Sequence, residues 1–67
     1  MSNLTKFREE LKLSKLELAR RATISPADLT KLENGQVFPW PGWRKRLAKA
    51  LETTEEALFP EVVNGGK

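Results

Sequence analysis

Apolar residues recur every three or four positions along most of the chain, which is the spacing of one face of an α-helix. Near the start, Leu4, Phe7 and Leu11 are separated by charged residues and predict an amphipathic helix over about residues 3–12. No stretch alternates between apolar and polar positions in the way a β-strand does. The pattern therefore predicts an all-α fold.

The second predicted helix begins at a capping box formed by Ser14 and Glu17. In such a box the serine hydroxyl accepts from the Glu17 backbone N–H, and the glutamate carboxylate accepts from the Ser14 N–H. Leu18, Ala19 and Ala22 then supply the buried stripe of this helix.

Start and stop signals bound the third predicted helix on both sides. Ser25 is its N-cap, and Pro26 is its first residue, where the missing N–H of proline is no loss. Gly35 ends the helix at a left-handed position, so the helix covers about 26–34. Its inward residues are Leu29 and Leu32.

Two more helices are predicted in the second half of the chain. Pro41 opens the fourth helix, and either Thr53 or Thr54 caps a fifth that ends at Phe59, because Pro60 stops it. The inward stripe of the fourth helix consists of Trp43, Leu47, Ala48 and Leu51.

The chain's 67 residues leave room for one hydrophobic core. We therefore expect five short helices around that core over residues 1–60, followed by a flexible tail over 61–67. With 39% apolar and 31% charged residues and no long apolar run, the composition indicates a soluble protein without a signal peptide or membrane span.

The absence of cysteine and histidine removes several kinds of chemistry. Disulfides, thiolate or imidazole metal sites and nucleophile–histidine catalysis are all excluded. The two pairs of adjacent glutamates are interpreted as solvated helix surface. We expect no enzymatic activity, no cofactor, no metal and no small-molecule ligand.

Positive charge is concentrated in the first fifty residues, which carry 11 basic and 5 acidic side chains, a net of +6. The remaining residues carry a net of −3, and the whole chain carries +3. A cationic body favours a polyanionic partner, although a modest positive charge also serves solubility alone.

Two short helices joined by about three residues, over residues 14–34, make a helix-turn-helix unit, although an ordinary helical hairpin has similar periodicity. Family-like residues run through this unit and beyond it: Leu18-Ala19, Ile24-Ser25, Leu29, Leu32-Glu33-Asn34-Gly35, Pro39, Ala50-Leu51 and Leu58-Phe59. Through them the chain resembles, over about 4–59, the Cro/repressor (xenobiotic-response-element) helix-turn-helix family of bacteria and phages. The resemblance implies a lambda-repressor-like domain whose third helix, residues 25–34, enters the DNA major groove.

The same resemblance implies roles for individual residues. The base-facing positions are Pro26, Ala27, Asp28, Thr30 and Lys31. The phosphate-facing positions are Arg8, Ser14, Lys15, Asn34, Gln36, Phe38 and Trp40. Arg8 and Glu33 match a pair that forms an ion bridge between the first and third helices in the family, and Lys15 replaces the family's usual glutamine. A free surface cation is the alternative for Arg8.

Some residues depart from the family's pattern. Pro26 and Ala27 carry no hydrogen-bonding side chain, so we expect modest base selectivity with DNA shape adding to it. Asp28 can accept from a cytosine amino group or only favour the helix N-terminus, and we favour the second interpretation. Thr23 stands in the turn where the family often has glycine, and a left-handed backbone there costs on the order of 1–2 kcal/mol.

The loop after the third helix has apolar residues where the family often has basic ones. Val37, Phe38 and Trp40 are interpreted as a dimer contact, because two domains must meet to read two half-sites one DNA turn apart. Covering the core is the alternative for Trp40. The basic residues that either flank the DNA backbone or form a solvated face are Arg44, Lys45, Arg46 and Lys49.

The sequence thus predicts a small DNA-binding transcriptional regulator, a repressor, that binds duplex DNA as a homodimer in the cytoplasm, at the nucleoid. The alternative is a helix-turn-helix fold used as a protein-interaction module, an antirepressor or accessory partner. Met1 and the polar end favour a complete short protein over an N-terminal fragment of a longer regulator.

Overall fold

The computed structural model describes residues 3–63, which form six α-helices and no strand. The helices are α1 (Leu4–Glu10), α2 (Lys15–Ala22), α3 (Pro26–Glu33), α4 (Pro41–Ala50), α5 (Glu55–Leu58) and α6 (Pro60–Val63). Helix α2 packs against α3 and α4, α1 against α3, and α5 against α4 and α6. The predicted all-α fold is confirmed. Within these residues no helix has the length and apolar character needed to cross a bilayer.

One hydrophobic core joins the first five helices. Its buried residues are Leu4, Leu18, Ala19, Ala22, Ile24, Leu29, Leu32, Leu47, Ala48, Leu51, Leu58 and Phe59. The small side chain of Ala19 lets α2 approach α3 closely, and Ile24 anchors the turn between them in the core. Trp43 is half-buried against this core, as the inward stripe of α4 predicts.

Hydroxyl side chains cap three of the helices. Each accepts a backbone N–H bond from three residues on: Ser14 from Glu17 at 3.0 Å, Ser25 from Asp28 at 3.1 Å and Thr54 from Ala57 at 3.1 Å. Thr54, rather than its neighbour, is therefore the cap of α5. The reciprocal half of the predicted capping box is wrong, because the Glu17 carboxylate accepts from Arg21 at 3.4 Å, one turn further along α2.

Four left-handed residues end helices α1 to α4, and only one of them is a glycine. Their φ angles are 59° at Lys12, 57° at Thr23, 72° at Gly35 and 57° at Glu52. After each of them, the next residue's N–H returns to a carbonyl five residues back, as in a Schellman turn. These bonds run from Leu13 to Arg8 at 3.1 Å, Ile24 to Ala19 at 2.9 Å, Gln36 to Lys31 at 2.8 Å and Thr53 to Ala48 at 2.9 Å.

The predicted end of the fifth helix before Pro60 is confirmed, since α5 ends at Leu58, but a sixth helix that the sequence pattern did not predict follows it. Pro60 is the first residue of α6, a position at which proline's missing N–H breaks no helical hydrogen bond. Val62 then packs half-buried against the core. The described residues therefore form six helices instead of five, and α6 occupies the first residues of the predicted tail, whose part from 64 to 67 lies outside the described residues.

The two ends of the domain are tied together by Asn3, a contact that the sequence pattern did not predict. Its backbone N–H donates to the Leu58 carbonyl at 2.8 Å, and its Nδ2 donates to the Ala57 carbonyl at 2.8 Å. Because these carbonyls end α5, which has few internal bonds, Asn3 satisfies acceptors that the short helix leaves open.

Candidate nucleic-acid interface

Helix α3 buries one side and presents the other to solvent. Leu29 and Leu32 are buried, and they bind the helix to the core. The predicted base-facing residues all lie on the accessible side, with Pro26, Ala27 and Lys31 exposed and Asp28 and Thr30 half-buried. All five side chains are therefore at least partly accessible to solvent.

Both ends of α3 are closed by its own sequence. The Ser25 hydroxyl accepts from Asp28 N–H at the start, and Gly35 turns the chain away at the end. Asp28 lies in the first turn, where its negative charge favours the positive end of the helix dipole. The helix is thus defined by local signals and presents a fixed outer face.

Glu33 anchors α3 to the two helices behind it. Its Oε2 accepts from Arg8 Nε at 2.7 Å, and its Oε1 lies 4.0 Å from Lys15 Nζ. The Arg8 guanidinium also donates to the Leu13 carbonyl at 2.8 Å. The side chains of Arg8 and Glu33 are only 12% and 4% exposed, whereas Lys15 is 48% exposed. Arg8 is therefore an internal brace, and Lys15 is the cation of this group that solvent reaches.

Exposed side chains continue from α3 into the following loop. Asn34, Gln36, Phe38 and Trp40 are all exposed, and Trp40 is 60% accessible. The backbone N–H groups of Asn34 and Gln36 donate to carbonyls of α3. At these two residues only the side-chain amides are therefore free to bind a phosphate. The first N–H groups of α4 have no side-chain cap among the described residues, so they can also bind an anion.

The loop carries a pair of aromatic rings beside an apolar recess. The rings of Phe38 and Trp40 meet edge to face, with centroids 4.6 Å apart and planes at 65°. The recess, with a volume of about 670 Å³, lies between this loop and α6 and includes Val37, Phe59 and Val62 in its walls. Trp40 thus does not cover the core, and it stands beside a concave apolar surface.

Two arginines of α4 make contacts that spacing alone could not reveal. Arg44 donates from Nε to the Glu55 carboxylate at 3.0 Å and from a terminal nitrogen to the Pro39 carbonyl at 2.8 Å. Arg46 donates from Nε to the Ala22 carbonyl at 2.9 Å. Arg44 therefore braces the loop after α3, and Arg46 completes the C-terminal end of α2.

Comparison with models of known protein families agrees with this arrangement of α2, a short turn and an exposed α3. The family model described as helix-turn-helix domain matches residues 3–60. No curated protein and no solved structure shows significant similarity to the chain. The matched region contains the turn, the exposed helix and the Glu33 brace, so the chain belongs to the helix-turn-helix domain family.

Proposed function

We propose that this protein is a Cro/repressor-type transcriptional regulator that binds duplex DNA with α3 in the major groove. The observation that carries this proposal is the outer face of α3, which is exposed, capped at both ends and braced from behind by Glu33. Such a rod has the dimensions that the major groove admits. Repression by occupying an operator, in the cytoplasm and at the nucleoid, is the mode of action that we propose.

The proposed base contacts differ in what they can read. Lys31 is exposed and donates to guanine O6 and N7, and Thr30 donates or accepts. Ala27 meets a thymine methyl group, and Pro26 supplies shape alone. Asp28, placed in the first turn, serves the helix end in this proposal.

The proposed phosphate contacts surround that face. Lys15 and the Ser14 region lie at the start of α2, and the side chains of Asn34 and Gln36 follow the end of α3. Phe38 and Trp40 offer backbone and ring edges in the loop. We assign Arg8 an indirect role, because its guanidinium pairs with Glu33 and fixes the carboxylate that also lies beside Lys15.

Selection of bound duplexes from a random pool tests this proposal and supplies the half-site spacing. The logarithm of the binding constant should fall linearly with the logarithm of the salt concentration, with a slope of about −0.9 per phosphate contacted. Lys31→Ala should change the selected bases, whereas Lys15→Ala should weaken all sequences alike. A flat salt profile, with no NMR shifts at Lys15, Thr30 and Lys31 on adding DNA, would contradict the proposal.

We further propose that the protein binds DNA as a homodimer through the loop of Val37, Phe38 and Trp40. The exposed Trp40 and the apolar recess lie on one face, so a two-fold contact pairs each tryptophan with the partner's recess. Sedimentation of the protein–DNA complex measures the stoichiometry. Trp40→Ser should yield monomers on DNA, while Leu16→Ser, at another exposed apolar residue, should leave dimers.

The alternative function is a protein-interaction module that uses the same face. The chemically plain Pro26 and Ala27 and the exposed aromatic pair favour this alternative. It predicts salt-insensitive binding of a protein through α3 and no measurable duplex binding, so the salt titration above separates the two functions.

A further inference from the structure

Among residues 3–63, the exposed cations outside α1 and the turn after it, where Lys6 and Lys12 lie, fall into two groups. Lys15 and Lys31 belong to the proposed DNA face, whereas Arg8 and Arg44 are held by carboxylates inside the fold. A second group, which we name the α2–α4 basic face, occupies the C-terminal end of α2 and the outer side of α4. Its members are Arg20, Arg21, Lys45, Arg46 and Lys49.

A depression of about 480 Å³ forms the centre of the α2–α4 basic face. Arg21, Arg46 and Lys49 line it together with Thr23 and Glu52. The bond from Arg46 to the end of α2 holds this guanidinium at the wall of the depression. Two helices therefore direct three cations toward one concave surface.

These cations are available to a ligand. Lys49 is exposed and takes part in none of the ion pairs found within residues 3–63, and Lys45 lies one helical turn before it. Arg21 pairs with Glu17 at 3.4 Å, but both side chains are about half exposed, so water competes with this pair. Glu52 supplies the acidic charge at the edge of the depression.

The depression lies away from the proposed DNA contacts. Lys15 begins α2, and Arg21 lies six residues later, about 9 Å along the helix axis. Lys49 is near the end of α4, about 12 Å along the axis from Pro41, which follows the loop of the DNA face. The cations of the depression therefore lie toward the C-terminal ends of α2 and α4, whereas Lys15 lies at the start of α2 and Lys31 lies on α3.

We propose that the α2–α4 basic face binds an acidic segment of a partner protein. Charge complementarity supports this occupant, because the five exposed cations of the face outnumber the two neighbouring carboxylates, Glu17 and Glu52. Those carboxylates repel a continuous phosphate backbone, whereas a peptide can place carboxylates over the cations and donors beside the glutamates. The face is separate from α3, so the protein recruits the partner while it remains able to bind DNA.

Two charge reversals of equal size test the proposal: Lys49→Glu on this face and Lys31→Glu on α3. The probe is a fluorescent peptide of about twelve residues rich in glutamate, with the glutamine version as its control. Lys49→Glu should weaken peptide binding about tenfold, which corresponds to about 1.4 kcal/mol, and should leave duplex binding nearly unchanged. Lys31→Glu should do the reverse, and circular dichroism checks that both variants fold.

NMR mapping of the full chain supplies the second readout. Peptide should shift the amides of Arg21, Thr23, Arg46 and Lys49 and should leave those of Thr30 and Lys31 in place. Equal weakening by both reversals means that only net charge attracts the peptide, which overturns the proposal. The proposal is also overturned if duplex DNA shifts the amides that line the depression, or if the peptide does not bind at all. Neither result contradicts the separate proposal that α3 binds DNA.

Discussion

Among residues 3–63, three residues other than glycine hold a left-handed backbone at helix ends. Lys12, Thr23 and Glu52 have φ angles between 57° and 59°, and the strain in this region is largest for a β-branched side chain. Thr23, in the turn of the helix-turn-helix unit, therefore makes this turn less stable than glycine at the same position would. Its hydrogen bonds, from Thr23 to Arg20 and from Ile24 to Ala19, keep it in place.

Replacing Thr23 with glycine should stabilise the protein. The relief of about 1–2 kcal/mol of strain exceeds the entropy that glycine adds to the unfolded chain, so a net gain of about 0.5–1 kcal/mol is expected. Urea unfolding measures it. Gly35→Ala is the matched control, since its φ is 72° and no atom lies within 4 Å of the added Cβ, so only backbone strain should destabilise it. If Thr23→Gly is less stable than the original protein, the threonine side chain makes a stabilising contribution that exceeds the backbone strain.

The ion pair between Arg8 and Glu33 is a second place where a single residue should contribute strongly to the free energy of unfolding. Glu33→Gln leaves the nearly buried guanidinium without its carboxylate, so we expect a loss of about 2 kcal/mol in the free energy of unfolding. Glu17→Gln breaks a half-exposed pair instead and should change stability by less than about 0.5 kcal/mol. Equal effects of the two variants in thermal unfolding would contradict this ranking.

Helix α3 depends on its cap more than on its propensity to be helical. It has eight residues, too few to be stable alone, and tertiary packing holds only its inner face. The Ser25 hydroxyl is what orders its first turn, where Pro26, Ala27 and Asp28 lie.

Ser25→Ala should therefore weaken both stability and duplex affinity. The expected loss of stability is about 1 kcal/mol, and the affinity should fall by about threefold or more because the first turn of α3 frays. Thr54→Ala removes an equivalent cap from α5 and should cost similar stability without a change in affinity. The comparison is made by titrating duplex DNA well below the unfolding temperature, and an equal loss of affinity in both variants would argue against a direct role for the first turn.

The molecule as a whole is closed by its two ends. Asn3 binds the carbonyls at the end of α5, and α6 returns Val62 to the core beside Phe59. A core of this size has little stability in reserve, so even a half-buried valine counts.

A chain that ends at Pro60 should therefore be less stable than the whole. Loss of the half-buried Val62 should cost about 1 kcal/mol, measured by urea unfolding at equal protein concentration. Val62→Ala in the whole chain should reproduce most of the effect. Unchanged unfolding of the shortened chain would show that α6 adds nothing to the core.

The exposed positive charge also divides at this level. Lys31 on α3 and Lys15 at the start of α2 belong to the proposed DNA face, whereas a larger group lies on the α2–α4 basic face. The exposed Lys6 and Lys12 belong to neither group. The net charge of the first fifty residues is therefore not a measure of the DNA face alone. We therefore expect the salt dependence of duplex binding to have a smaller slope than the total number of cations in the protein would give.

Local signals in the sequence predicted the first five helices and the hydroxyl caps of α2 and α3, because Ser14, Ser25 and Gly35 act on the backbone within one turn. They did not predict α6, because Pro60, which was interpreted only as the stop of the fifth helix, is also the first residue of the next one. The contacts of Asn3, Arg44 and Arg46 were decided only by the tertiary structure. Each joins a side chain to a carbonyl or carboxylate far along the chain, and no periodic pattern records which elements packing brings together.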